Sequence, residues 1–238
     1  MFRPTTAINC DTVNQYQTLL RNQLLQQTAE MVTEWFLLAV VASTVMASGG
    51  EGTSLQCPDP EDIAPCSCVV NDDNEMDFEC PSEITEEKLA EVFTAKMPNN
   101  NFNSFTMKYN ANFSVLRNGV FGTATFERIL IRYGNLVTVE EEALSGSYNT
   151  LEILDLSFNQ LALFPVFNFP NYKALTTLYL SDNKFTQLPM LNSDSLTVLQ
   201  MGYNQIHELP KTAFQGLPNL EEIRFPHNDI TTISPGKH

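Results

Sequence analysis

A unit of 21 to 25 residues recurs six times in this chain, in copies that begin at residues 102, 126, 151, 175, 196 and 220. Its template is L-x-x-L-x-L-x-x-N-x-L, where L stands for any large apolar residue. The last four copies meet all five fixed positions, whereas Gly134 replaces the asparagine in the second copy and Asn112 takes the final apolar place in the first. Such a period predicts a solenoid, because one unit cannot bury its own apolar face and must stack on its neighbours.

The apolar positions of the unit predict its local structure. Residues at positions 1, 4 and 6 point inward, with a short strand around positions 4 to 6. The asparagine at position 9 can satisfy backbone groups that the following turn leaves unpaired, and stacking would align these side chains in a ladder. A second apolar cluster closes the units, formed by Val120, Phe121, Ala143, Leu144, Ala213, Phe214 and Leu217. We predict an α/β solenoid with one curved parallel sheet on its concave face and an outer side of loops and short helical turns.

Acidic residues are concentrated in one segment. The 238 residues include 28 Asp and Glu against 13 Lys and Arg, for a formal net charge of -15. Residues 51–91 alone carry 13 acidic residues and one basic residue, a net charge of -12, so the repeats are close to neutral. This balance argues against nucleic-acid binding, which needs a basic face to neutralise phosphates.

An apolar segment, WFLLAVVASTVMA at residues 35–47, precedes the acidic region. Its 13 residues are too few for a membrane span, which takes roughly 20, but they match the apolar core of a signal peptide. Small residues precede a possible cleavage site before Ser48. We predict a leader over residues 1–47, with a signal-like part at 31–47, and a secreted, extracellular product. A retained membrane anchor and a buried helix are the alternatives.

Four of the five cysteines lie within 24 residues, and the fifth, Cys10, lies in the leader. The four are Cys57, Cys66, Cys68 and Cys80. An even, tight group behind a secretion signal is typical of a disulfide framework. Zinc is the competing interpretation, but the spacing C-x8-C-x-C-x11-C lacks paired C-x2-C motifs and has no nearby histidine. We predict an acidic cysteine cap at residues 48–95, followed by the repeats at 96–238.

The repeat template and the cysteine group before it resemble those of leucine-rich-repeat proteins with an N-terminal disulfide cap. In such caps the first cysteine usually pairs with the third, and the second with the fourth. The resemblance therefore implies the disulfides Cys57–Cys68 and Cys66–Cys80, and a cap strand at Met76–Cys80. A cap of this kind would seal the open end of the stack with polar surface.

A closer resemblance covers residue 57 to the end of the chain. The segments CPDPEDIAPCSCVV and LRNGVFGTATFERILIRYGNLVTVEEEAL contain features, such as EDI-x-PC-x-C and NGVFG, that the repeat template does not demand. These segments are similar to the arthropod leucine-rich-repeat proteins named for the non-catalytic subunit of Oplophorus-luciferin 2-monooxygenase. The resemblance implies a non-catalytic protein that accompanies a partner, such as a separate catalytic subunit.

Residues suited to catalysis or cofactor binding are scarce. The three histidines form no H-E-x-x-H pair, and the chain has no G-x-S-x-G motif and no glycine-rich phosphate loop. The acidic run NDDNEMDFE at residues 71–79 does not begin an EF-hand loop, which needs glycine at its sixth position and glutamate at its twelfth. Counted from Asp73, those positions are Phe78 and Ile84. We predict a solvated hairpin there, with weak calcium binding as the alternative. No enzyme activity, cofactor or metal site is expected.

Asn112 begins the one N-x-S/T sequon of the chain, Asn112-Phe113-Ser114. It follows the first repeat strand, on a rim where the chain should be exposed. In a secreted protein this position predicts an attached glycan. An unmodified polar turn residue is the alternative.

Positions 3, 5, 7 and 8 of each unit should face the concave side, and aromatic residues dominate position 8. Exposed rings on a strand face cost solubility, and Tyr and Arg are enriched where interfaces bind most tightly. We predict a protein-binding stripe of Tyr109, Tyr133, Phe158, Tyr179, Tyr203 and Arg132. The alternative is that the rings of position 8 pack on neighbouring turns as a structural ladder.

The sequence thus favours a secreted, non-catalytic protein that binds a protein partner on its concave face. The ectodomain of a leucine-rich-repeat adhesion or receptor protein is the alternative, and an enzyme subunit with its own activity is a third hypothesis. The last copy starts at Leu220 and stops before its outer segment, so we expect an incomplete solenoid. Its final coil would then expose Ile223, Phe225, Ile230 and Ile233 at an open edge.

The leader gives the first testable prediction. When the chain is expressed in a secretory host, we expect secreted protein that begins at or within two residues of Ser48, because the small residues before it suit signal cleavage. N-terminal sequencing and intact mass measure the outcome. A secreted chain that still carries residues 31–47 would contradict the prediction.

Overall fold

Successive repeats pair through their strands into one sheet. A computed structural model describes residues 55–233 of the chain. The sheet has eight strands in the order β1 (Ser67–Val70), β2 (Met76–Cys80), β3 (Asn101–Lys108), β5 (Thr125–Arg132), β7 (Ile153–Asp155), β8 (Thr177–Tyr179), β9 (Val198–Gln200) and β11 (Glu222–Arg224). The cap strands β1 and β2 are antiparallel, and every later neighbour is parallel. This confirms the predicted leucine-rich-repeat solenoid with an N-terminal cap.

The remaining elements are short. Helices α1 (Pro60–Ile63) and α2 (Glu86–Val92) belong to the cap, and two 3-10 turns occupy Ser145–Ser147 and Phe169–Asn171. Two further strand pairs lie after the turns, β4 (Val115–Leu116) with β6 (Thr138–Val139) and β10 (Glu208–Leu209) with β12 (Thr232–Ile233). The sequence predicted loops and helical turns there. Strands form instead because stacked coils bring backbone groups together, as where the Val137 N–H donates to the Ser114 carbonyl at 2.8 Å.

The inward positions of the template form the core in register. Position 4 runs through paired residues of six strands: Phe105, Ile129, Leu154, Leu178, Leu199 and Ile223. All six are buried except Ile223, which is half-buried. The second apolar cluster also lies in the core, with Phe214 packed at its edge. The alternation of inward and outward residues therefore fixes which side chains the concave face presents.

The first copy departs from the template at its turn, and one expectation about the last copy is wrong. Asn112 is exposed, and the next residue, Phe113, is buried in its place, because the first copy is one residue longer at its turn. In the last copy Phe225 and Ile230 are buried, not exposed, because they point inward onto the preceding coil. The Phe225 ring stacks with that of Phe214 at a centroid distance of 6.0 Å.

The predicted asparagine ladder is present and links neighbouring coils. The Nδ2 group of Asn183 donates to the Leu180 and Ser181 carbonyls of its own turn and to the Leu156 carbonyl of the preceding coil. Its Oδ1 accepts from the Leu161 N–H of that coil at 2.9 Å. The other members of the ladder are Asn110, Asn159, Asn204 and Asn228. Each asparagine thus satisfies backbone groups of two coils at once.

Gly134 interrupts this ladder for a steric reason. A Cβ atom at this position would lie 2.9 Å from the Asn110 carbonyl oxygen and 3.1 Å from Oδ1 of Asn159. The Asn110 carbonyl already accepts the N–H of Asn135, so the two coils approach closely here. The second copy therefore departs from the template because its backbone leaves no room for a side chain.

Two disulfides close the cap, and the shared sheet and an aromatic cluster join it to the repeats. The bonds Cys57–Cys68 and Cys66–Cys80 are formed as the resemblance implied, and the cap strand is Met76–Cys80. Strand β2 pairs with β3, so the sheet runs from the cap into the first repeat without a break. Behind it, six phenylalanine rings pack at centroid distances of 4.9 to 6.4 Å: Phe78, Phe93, Phe102, Phe105, Phe121 and Phe126. Each contact between such rings stabilises a core beyond the area that it buries.

Glu86 joins the cap helix α2 to the turn after β3. Its Oε1 accepts the N–H and hydroxyl of Ser114 and the N–H of Val115, at 2.7 to 3.0 Å. Its Oε2 lies 3.2 Å from the Arg117 guanidinium. Burial on its own would raise the pKa of Glu86, but these hydrogen bonds outweigh it and lower the pKa below its ordinary value of 4.5.

Several sequence predictions fall outside the described residues. These are the leader at 1–47 with Cys10 and the apolar segment, and the side chain of Ile233. Across residues 55–233, no helix is both long and apolar enough to cross a membrane.

Gly134 gives a prediction that opposes the repeat template. We expect Gly134→Asn to lower the free energy of unfolding by about 1–3 kcal/mol, because the new Cβ would overlap the Asn110 carbonyl. Urea unfolding followed by circular dichroism measures the change. Gly119→Asn is the control, since Gly119 has open space around it and a left-handed backbone that asparagine tolerates. A Gly134→Asn variant as stable as the unmodified chain would contradict the steric explanation.

Glu86 gives a prediction about pH. Because its folded pKa lies below 4.5, its contribution to stability is complete above that pH and is lost as the pH falls through the folded value. We expect Glu86→Gln to cost about 1 kcal/mol at pH 7, with the difference from the unmodified chain shrinking below about pH 4.5. Thermal unfolding from pH 7 to pH 3 measures it. Glu87→Gln, on the exposed side of α2, is the control and should leave the stability at pH 7 unchanged.

Candidate functional site

One row of residues on the concave face shares an unusual backbone conformation. Position 8 of every repeat has a positive φ angle, between 54° and 60°: Tyr109, Tyr133, Phe158, Asp182, Tyr203 and His227. Bulky residues other than glycine rarely adopt this left-handed conformation, which costs roughly 1 kcal/mol or more for each residue. The conformation ends each strand and starts the turn that contains position 9. It also places six side chains of successive coils above one another.

The first three rings of this row form a continuous stack. The rings of Tyr109 and Tyr133 are 5.1 Å apart at an angle of 17°, and those of Tyr133 and Phe158 are 4.4 Å apart at 22°. Their exposed fractions are 68%, 36% and 38%. Ring contacts of this kind offset part of the backbone cost. The rings of neighbouring coils therefore pack on one another and still leave part of each ring open to solvent.

A second stack lies beyond Asp182. The rings of Tyr203 and His227 are 4.2 Å apart at 19°, and Tyr203 is 53% exposed. Asp182 occupies the row between the two stacks, and burial raises the pKa of its carboxyl. We call Tyr109, Tyr133, Phe158, Tyr203 and His227 the aromatic stripe. His227 was not among the predicted binding residues, although its place at position 8 was the signal that could have identified it.

The predicted residue Arg132 lies beside the first stack. Its guanidinium carbon is 5.1 Å from the centroid of the Tyr133 ring, and its Nε is 3.2 Å from a carboxylate oxygen of Asp155. The Asp155 carboxylate also accepts the N–H of Ser157 at 3.0 Å. Sequence reasoning missed Asp155, which stands at position 5 of the next repeat and so faces the same side as Arg132.

Tyr179, the other predicted residue, belongs to a different row. It lies on β8, in register with Asp155 on β7 and Gln200 on β9, and it is half-buried. Position 5 lies within the strand and not at its end, so Tyr179 faces the sheet surface without joining either stack. The structure thus brings Tyr109, Tyr133, Phe158 and Arg132 together and leaves Tyr179 and Tyr203 outside that group.

Other sites predicted from the sequence can also be placed. Asn112 is exposed just after β3, where a glycan would have access, and its modification stays a prediction. Within the described residues, no group of three or more His, Cys, Asp and Glu side chains could hold a metal ion. The acidic run forms the hairpin that connects β1 and β2. There the Asn71 side-chain amide donates hydrogen bonds to the carboxylates of Glu75 and Asp77.

Three stretches of the chain match family models described as leucine rich repeat: residues 149–162, 174–192 and 194–237. The Oplophorus-luciferin 2-monooxygenase non-catalytic subunit of Oplophorus gracilirostris is 37% identical over 184 residues, which are 77% of this chain and 51% of that protein. Lumican of Gallus gallus is 32% identical over 108 residues, 45% of this chain and 31% of lumican. Osteomodulin of Bos taurus is 29% identical over 111 residues, 46% of this chain and 26% of osteomodulin.

The chain therefore spans about half of the luciferase subunit and less than a third of the other two relatives. All three relatives are secreted or extracellular-matrix proteins, and the first is named as a non-catalytic subunit.

Proposed function

We propose that this chain, a leucine-rich-repeat protein resembling the Oplophorus-luciferin 2-monooxygenase non-catalytic subunit, is a secreted, non-catalytic protein that binds another protein through its concave face. The aromatic stripe is the observation that carries the proposal. Its exposed rings lie in one row, at the ends of neighbouring strands, on a sheet face that no other described element covers. Large exposed rings in a fixed arrangement are typical of the residues that contribute most to protein binding.

Pre-organisation supports the same proposal. Each ring of the stripe is held by its left-handed backbone and by a neighbouring ring, so little side-chain freedom is lost when a partner binds. Rigid aromatic side chains contribute binding area at a low entropic cost for this reason. The relatives support secretion, because they act outside the cell. A catalytic subunit is one candidate partner, since the luciferase relative is named as the non-catalytic part of an enzyme.

The test separates binding from folding by choosing rings at the ends of the stacks. The variant Tyr109→Ala with Tyr203→Ala removes the two most exposed tyrosines of the stripe, and each of them stacks against one ring only. A partner is first isolated by crosslinking to the tagged chain in extracellular fluid of the source animal, and its affinity is then measured by calorimetry. We expect the double variant to bind about 5- to 150-fold more weakly, the range that follows when residues contributing strongly to an interface are truncated.

The control removes as much exposed apolar surface from another part of the molecule. Leu163 and Phe167 are 82% and 83% exposed, in the segment that follows the turn of the third repeat, so Leu163→Ala with Phe167→Ala should leave the affinity unchanged. Circular dichroism checks that both variants fold. An unchanged affinity in a folded Tyr109→Ala, Tyr203→Ala variant would refute binding through the stripe. A loss of affinity in the control would place the binding surface on the outer side.

A further inference from the structure

Three cations surround an apolar side chain on the concave face of the first two repeats. Lys108 on β3 pairs in register with Arg132 on β5, and Arg128 lies four residues before Arg132 on the same face of the strand. Leu130 stands between the two arginines and is half-buried. We call Lys108, Arg128, Leu130 and Arg132 the basic patch. It adjoins the aromatic stripe, because Lys108 and Arg132 directly precede Tyr109 and Tyr133.

The patch is only partly neutralised. Arg132 has the ion pair with Asp155 at 3.2 Å. In the part of the chain that the structure describes, Lys108 and Arg128 are exposed and form neither a salt bridge nor a side-chain hydrogen bond. Neighbouring strands lie about 4.8 Å apart, so the paired Lys108 and Arg132 repel each other in the absence of a ligand. Such an arrangement is notable in a chain whose net charge is -15.

Acidic side chains bound the patch on both sides along the sheet. On the cap side, β2 presents Asp77 and Glu79, which pair in register with Ser104 and Thr106 of β3. On the other side lie Asp155 and, one repeat further, Asp182 at the end of its strand. The positive region is therefore only two strands wide, about 10 Å. A long polyanion that crossed the sheet would meet carboxylates at both ends and be repelled.

We infer that the basic patch recognises a short acidic segment of the partner protein, with carboxylates beside Lys108 and Arg128 and an apolar side chain over Leu130. This inference rests on the proposed function and specifies the chemistry of the partner. The width of the patch favours a peptide with a few carboxylates over an extended sulfated polysaccharide. Leu130, between the two arginines, favours a peptide with an apolar residue between those carboxylates, because burying the Leu130 side chain releases water and increases the affinity.

A random library of twelve-residue displayed peptides, selected on the immobilised full chain at 50 mM salt, tests this chemistry. We expect enriched sequences in which Asp or Glu flank an apolar residue. A fluorescein-labelled copy of the most enriched peptide is then titrated by anisotropy. The variant Lys108→Gln with Arg128→Gln should weaken its binding about two- to thirtyfold, the sum of two exposed ion pairs. Raising the salt to 300 mM should weaken binding to the unmodified chain in the same direction.

A second variant should strengthen binding, which misfolding cannot imitate. Asp155→Asn keeps an oxygen for the Ser157 N–H but removes the charge that competes for Arg132. We expect it to bind the labelled peptide about two- to fivefold more tightly. The charge-matched control is Lys96→Gln with Lys184→Gln, two exposed lysines outside positions 3, 5, 7 and 8, which should leave the affinity unchanged.

Three results would overturn the inference. The first is a set of selected peptides without acidic residues. The second is unchanged binding of the labelled peptide in the Lys108→Gln, Arg128→Gln variant, while the Tyr109→Ala, Tyr203→Ala variant no longer binds it. Binding through the concave face would then stand, but recognition of an acidic segment by the basic patch would not. The third is a heparin dodecasaccharide that binds more tightly than every selected peptide and depends on Lys108 and Arg128, which would make the patch a polysaccharide site.

Discussion

The solenoid depends on a two-residue turn at the end of each concave strand. A residue with a left-handed backbone at position 8 stops the strand. In every copy but the second, an asparagine at position 9 then donates to a backbone carbonyl of the preceding coil or, for Asn110, of the cap. Without that amide, these carbonyls would be buried and unpaired, at a cost of about 1–3 kcal/mol for each one. The same turn sets the spacing of the coils, the register of the sheet and the row in which the aromatic stripe lies.

Much of this architecture was predictable from the sequence because its cause is local and repeated. The apolar period fixed the core positions, and the asparagine at a constant offset from it predicted the ladder. Features that arise from contacts between coils were not predictable in this way. In the sequence, Gly134 looks like a mismatch to the template, but in the structure it stands where the backbones of two coils approach closely. The outer strand pairs form only when stacking aligns segments that have no strand pattern of their own.

The concave face shows the same division. Its aromatic residues were identified from position 8 alone, since the period states which side chains point outward. They are grouped into a stack of three and a stack of two because Asp182 lies between the two stacks. That interruption is visible only when the coils are stacked in the structure. The ion pair of Arg132 with Asp155 also joins residues that are 23 positions apart in sequence. The net charge of the chain, or even of one repeat, therefore does not give the sign of the charge on the concave face that a partner would contact.

The aromatic cluster behind the first strands has a consequence for how the molecule opens. Six phenylalanines tie the cap, which two disulfides close internally, to the first two repeats, whereas the later repeats are packed mainly through aliphatic side chains. In a linear array of coils, local stability is the sum of each unit and its interfaces, so opening begins where those interfaces are weakest. Amide protons of β2, β3 and β5 should therefore exchange with solvent last, and the three-ring stack would remain in place during partial opening of the coils that follow it.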